Sequence, residues 1–182
     1  LFMGNRGILH DEAGNIRRLY VGRRWIICVL SFKGRRRQVM SPGHYTELFF
    51  YDEAVAFAAG HRPCAECQRS HFDAFRRHWT QVNDPNARRV DDIDRVLHNE
   101  RLTADRRKRT YRAPLDTLPD GAFIQWDTPT LVFGARLYPW TPAGYGEPFA
   151  RPSGVEVEVL TPPSLVAVLA NGYPLQSHPQ LA

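Results

Sequence analysis

Cys64 and Cys67 stand two residues apart in "GHRPCAECQRSH", residues 60–71, and the chain has one further cysteine, Cys28. Three cysteines are too few for a disulfide framework, and they point to a reducing compartment, the cytoplasm. A C-x-x-C pair at the start of a helix is half of a zinc site. The two thiols lie one turn apart and point the same way, and a helix N-terminus favours thiolate. Two other readings stand beside it: a buried pair of small apolar residues, and a redox dithiol. No βαβ pattern precedes the motif, which counts against the dithiol. A closed zinc site takes two more ligands, so the fold has to bring distant segments to residues 64–67.

The flanking pattern changes at this motif. Upstream, "IRRLYVG", "RWIICVLSF", "RRRQVM" and "TELFFY" read as strands, with turns at Gly22–Arg23 and Lys33–Gly34. Asp52 is placed to cap a short helix, "EAVAFAA", and Gly60 to stop it. Pro63 suits the first turn of a second helix, on which Phe72, Phe75 and Trp79 share one face. A third helix is expected over about 91–102, with Val90, Ile93, Val96 and Leu97 on its apolar face. "AFIQWD", "TLVFG", "RLYPW" and "VEVEVL" read as strands, residues 139–154 as a loop, and "PSLVAVLANG" as a last helix with Thr161 as its cap. The class is α+β: N-terminal β-hairpins, a helix–CxxC-helix unit, then a small β-rich C-terminal lobe. The composition shifts near residue 113. This suggests a basic zinc-binding lobe, 1–112, and an acidic β-rich lobe, 113–182, within what a length of 182 residues also allows to be one compact domain. The longest apolar run, "WIICVLSF", is too short to span a membrane.

Residues 48–69, "LFFYDEAVAFAAGHRPCAECQR", resemble the second half of the Ada-type zinc domain, which binds methylated DNA phosphate. An aromatic strand end, a short Ala-rich helix, its terminal Gly and Arg-Pro-Cys-x-x-Cys follow in that family's order. The resemblance implies metal binding by Cys64 and Cys67 and a position near DNA for Arg62. The family's upstream cysteine pair is missing from "GRRRQVMSPGH", so thiol-transfer repair is not implied. The whole chain also resembles a bacterial protein family, a resemblance that supplies no activity.

The candidates for the remaining ligands are Cys28, His98 and His44, with His61 and His71 behind them. Alternation sets Cys28 on a strand face with Ile26 and Leu30, where a core cysteine is the competing reading. His71 shares the helix face of the two cysteines, but about 10.5 Å of helix rise separates it from Cys64. His98 begins "HNE", residues 98–100. Zinc nucleobase deaminases use H-x-E with P-C-x-x-C, in the opposite order to this chain, and their Glu moves the proton. Glu100 falls about 340° around the helix from Ile93, within the apolar stripe, where a carboxylate needs a partner or a proton. It is the candidate catalytic acid/base, with an Arg-paired edge residue as the alternative.

Basic charge concentrates at two places. Residues 1–45 carry nine Lys and Arg against two acids, and residues 101–112 carry six against one. Nearly all of it is arginine, which suits phosphate through paired hydrogen bonds. Arg35, Arg36, Arg37, Arg62, Arg69, Arg106, Arg107 and Arg109 are the candidate nucleic-acid contacts, with DNA favoured over RNA. A solvated basic face is the alternative. Tyr138, Trp140 and Tyr145 form a candidate substrate wall. No phosphate-loop, dinucleotide or H-E-x-x-H motif is present. Three functions fit: a zinc-supported nucleic-acid binder in DNA repair or processing; a zinc-dependent hydrolase, deaminase-like or nuclease; and an interaction module with a structural metal or none.

Overall fold

The computed structural model describes residues 1–34, 38–87 and 89–177. Among these, the N-terminal half forms a four-stranded sheet from β1 (Phe2–Asn5), β2 (Ile26–Cys28), β3 (Leu48–Phe50) and β4 (Arg62–Pro63), in the order β3-β1-β2-β4. β1 runs antiparallel to both β2 and β3, and β4 runs parallel to β2. The stretch "IRRLYVG" is not a strand. Asp11 accepts from the Ala13 and Asn15 amides, and the Arg17 and Arg18 amides both donate to Leu9 O. The chain therefore turns back on itself with a single bridge, His10 to Ile16. The expected strand "RRRQVM" covers residues 35–37, which lie outside the described residues.

The helices follow the expected signals more closely. α1 (Glu53–Ala58) is capped by Asp52, whose carboxylate accepts from the Val55 amide at 2.9 Å. Gly60 follows with φ of +78°. α2 (Arg69–Val82) buries Phe72, Phe75 and Trp79, and α3 (Val90–Arg101) buries Ile93 and Leu97. Pro63, expected at the start of α2, lies instead in β4. Its segment pairs with β2, and α2 begins six residues later.

The second sheet is antiparallel. Its main path is β10 (Phe149–Ala150), β8 (Arg136–Thr141), β7 (Pro129–Phe133), β6 (Phe123–Gln125), β11 (Glu156–Val159) and β5 (Tyr111–Pro114), with β9 (Gly144–Tyr145) beside β8. α4 (Pro163–Ala170) follows. Thr161 does not cap it: its hydroxyl accepts from the Phe123 amide at 2.9 Å, and Pro162 holds the cap position. One hydrophobic cluster joins Ile27, Phe57, Phe75 and Trp79 to Phe123, Leu131, Leu165 and Tyr173. The two sheets thus share core side chains through α1, α2 and α4. A second cluster, with Leu115, Ile124, Val132 and Val159, fills the other face of the C-terminal sheet.

Glu53, at 0% exposure, sits in the first cluster's polar seam. Tyr173 OH and the Gln176 amide each donate to its carboxylate at 2.8 Å. Burial outweighs these bonds and pushes its pKa up from 4.5 to about 7. Between those values the folded chain holds a proton that the unfolded chain releases. Stability is therefore higher below the ordinary value and falls as pH rises towards 7, by about 3 kcal/mol. Urea unfolding at pH 5 and pH 8 tests this: Glu53→Gln is expected to remove that part of the slope.

Candidate metal centre

The three cysteines meet at the open end of the β2–β4 pair. Cys28 closes β2, and Cys64 follows β4 directly. The Cys64 amide donates to Ile27 O at 2.9 Å, which extends the parallel ladder by one step. The chain then turns through residues 65–68 into α2. Gln68 locks that turn: its side-chain amide donates to Ile27 O at 2.9 Å, and its backbone N–H to Cys64 O at 3.2 Å. Cys28, Cys64 and Cys67 thereby hold their sulfurs within 4.8 Å of one another. Cys64 is buried, and the other two are half-buried.

The local field favours one sulfur anion, at Cys64. The Glu66 amide donates to Cys64 Sγ at 3.4 Å. The Cys64 thiol is pushed down to about 5, first by the hydrogen bond from Cys28 and further by the Cys67 and Glu66 N–H groups. The same contact, with burial, drives Cys28 up. Cys67 is raised, chiefly by burial. Two thiols crowded around one favoured thiolate form a donor set that a thiophilic cation satisfies by replacing their protons. The residues fit a metal ion, and the cluster can hold one.

His44 and His98 stand apart from this cluster, which among the described residues is the sole metal-capable group of three or more His, Cys, Asp and Glu side chains. His44 is exposed, and its Nδ1 lies 3.0 Å from Pro42 O. His98 packs edge-on to Tyr20 and Trp25, with ring centroids 5.0 and 6.3 Å away. His61 is fully buried and accepts from Arg6 Nε at 3.1 Å. Glu100 does find the partner that its place on the stripe demands, but the partner is a helix end. Its carboxylate accepts from Ser164 N at 3.1 Å and from Ser164 Oγ at 2.6 Å, in the first turn of α4. The His, two Cys and Glu of a deaminase are not assembled together among the described residues.

The arginines divide into two groups. Arg69, Arg106, Arg107 and Arg109 are exposed. Arg35, Arg36 and Arg37 lie outside the described residues. Arg62, expected near DNA, is 2% exposed and turned inward. Its Nε and Nη2 donate to the two carboxylate oxygens of Asp94 at 2.8 and 2.7 Å, so the guanidinium is consumed inside the fold. Tyr138, Trp140 and Tyr145, the candidate substrate wall, lie in or beside the segment expected to be a loop. Residues 138–145 are a β8–β9 hairpin rather than a loop. Tyr145 is buried with its OH on Asp52 at 2.8 Å, and Tyr138 and Trp140 pack against the same core.

Sequence reasoning missed Asp94 and Arg101. Arg101 is 2% exposed and joins three segments. Nε donates to Gly60 O and Nη1 to Arg23 O, each at 2.7 Å, while its own carbonyl accepts from the Arg109 amide at 2.8 Å. Its guanidinium also lies 4.7 Å from the Trp25 ring centroid, and that of Arg6 lies 3.9 Å from it. The available signal was a charged residue one helical turn beyond Leu97, a place where an arginine reads as a solvated helix end. Beside this hub, Asn5, Val21, Gly22, Arg23, Ile26 and Asp91 line an open cleft of about 560 Å³.

A comparison of the chain with protein-family models, with curated proteins and with solved structures finds no match. Among the described residues no helix is long and apolar enough to cross a membrane.

Proposed function

We propose that this is a zinc-binding protein that uses an arginine-rich surface to bind nucleic acid, DNA in preference to RNA, in repair or processing. The observation that carries this reading is the group of three sulfurs within 4.8 Å, drawn from β2 and from the turn before α2. Thiolates in such a set suit zinc. The resemblance of residues 48–69 to the Ada-type domain supports the same assignment. The metal's role is to fix the turn between β4 and α2. Arg69 opens α2 directly after that turn, and through Gly60 and Arg101 the segment is tied to the basic stretch that carries Arg106, Arg107 and Arg109.

Metal analysis of the purified chain tests the first half: one equivalent of zinc is expected, and Cys64→Ser is expected to lose it. Absence of stoichiometric metal would overturn the reading. For the second half, binding to a labelled oligonucleotide is followed against salt. Affinity is expected to fall steeply with salt, and the double variant Arg106→Glu with Arg107→Glu to weaken binding and flatten the slope by about 1 per lost phosphate contact. Binding that ignores salt would remove the nucleic-acid assignment and leave the metal centre standing.

A further inference from the structure

A tetrahedral ion needs four donors, and His, Cys, Asp and Glu supply three here among the described residues. The sheet register brings one further sulfur-bearing residue into the same row as Cys28. Met3 is the Cα partner of Cys28 on one side and of Phe49 on the other. On the far side of β2, Ile26 pairs with Arg62 and Ile27 with Pro63, and the Cys64 amide continues that ladder. One row across the sheet therefore reads Phe49, Met3, Cys28, Cys64. Directly opposed residues share a face, with Cβ atoms about 4.5–5.5 Å apart. The neighbouring row belongs to the other face: a Cβ on Gly4 would meet the Phe50 ring at 2.3 Å, and Ile27 there is fully buried in the core. Met3 is half-buried on the cysteine face.

We propose that the Met3 thioether is the fourth ligand of the three-cysteine centre. The proposal rests on the metal reading above and sets which ions the centre holds. Three thiolates and a thioether form an all-sulfur donor set. Zinc, borderline in softness, binds through the thiolates with the thioether as a weak fourth donor. Monovalent copper, a softer ion, uses all four sulfurs and gains most from Met3. The unbranched methionine side chain has three rotatable bonds, so it reaches the ion from the adjacent strand without displacing the backbone.

The test uses the full chain and its Met3→Leu variant, a swap that keeps the apolar volume and costs little stability. Each is loaded separately with zinc and, under anaerobic reducing conditions, with Cu(I). Affinities are read by competition with a chromophoric chelator, and the number of sulfur neighbours by X-ray absorption at the metal edge. The copper-loaded wild type is expected to show four sulfurs and the variant three. Copper affinity is expected to fall about tenfold or more, with a much smaller change for zinc. Equal sulfur counts and unchanged copper affinity would overturn the Met3 assignment while leaving the cysteine centre intact. Failure of wild type to bind either ion would overturn the metal reading and this proposal with it.

Discussion

Asp94→Ala is expected to cost about 3–5 kcal/mol of folding stability, the usual result of removing one partner from a buried ion pair. Both side chains are nearly sealed from water, at 2% and 3% exposure. The carboxylate takes two guanidinium hydrogen bonds, and the third guanidinium nitrogen of Arg62 donates to Pro63 O at 3.0 Å. Without Asp94 the cation stays buried, since Arg62 is pinned by β4 pairing and covered by the Phe72 ring, 5.4 Å from its Cζ. The double change Arg62→Met with Asp94→Leu is expected to recover most of the loss, because a buried pair replaced by apolar groups no longer bears a desolvation penalty. Urea midpoints of the three variants measure this. A loss below about 1 kcal/mol in Asp94→Ala would mean that the pair behaves as an exposed one. The pair clamps β4 against α3 two residues before Cys64, so zinc affinity is expected to fall in Asp94→Ala and to return in the double variant.

This pair also marks where the sequence stops being legible. Local signals served well. Asp52 and Gly60 bound α1, and the Phe72, Phe75, Trp79 stripe placed the buried face of α2. Such features depend on neighbours within a turn or two. Arg62 and Pro63 depend instead on pairing with a strand 36 residues earlier in the chain, as Ile26 to Arg62 shows. Nothing local to "HRPC" announces that pairing, so Pro63 reads as a helix start and Arg62 as a surface cation. Alternation put Cys28 on a strand face with Ile26, but whether that face met Cys64 was a question of register between distant strands. The stretch "IRRLYVG" failed in the opposite direction. It is rich in β-branched, aromatic and aliphatic residues, yet Ile16, Leu19 and Val21 are 57%, 60% and 43% exposed, because no sheet face covers them. Glu100 reads as a carboxylate that needs an Arg, a metal or a proton, whereas the tertiary fold supplies the Ser164 N–H and hydroxyl.

Gly60→Ala is expected to destabilise the chain by about 3 kcal/mol or more, from two separable causes. The first is backbone strain. Gly60 has φ of +78°, and a Cβ in that conformation costs about 1–2 kcal/mol. The second is a collision: the new Cβ would lie 2.6 Å from Arg101 Cγ, in the middle of a side chain that is buried and held at its far end by hydrogen bonds. Displacing it breaks the bonds to Gly60 O and Arg23 O, each worth about 1.5–3 kcal/mol as a charged hydrogen bond. Gly172→Ala separates the two terms. Its φ is +82° and nothing lies within 4 Å of the new Cβ, so only the strain is expected there. If both variants lose the same stability, Arg101 is not the obstacle that the structure makes it. If Gly60→Ala loses more, its further effects follow from what Arg101 holds. Residues 60–64 lead from Gly60 to Cys64, the Arg23 carbonyl anchors the rim of the cleft, and the Arg109 amide anchors the basic stretch. Zinc affinity and oligonucleotide affinity are then expected to fall together in Gly60→Ala and to stay at wild-type values in Gly172→Ala. A fall in one without the other would show that the metal centre and the basic surface are not coupled through Arg101.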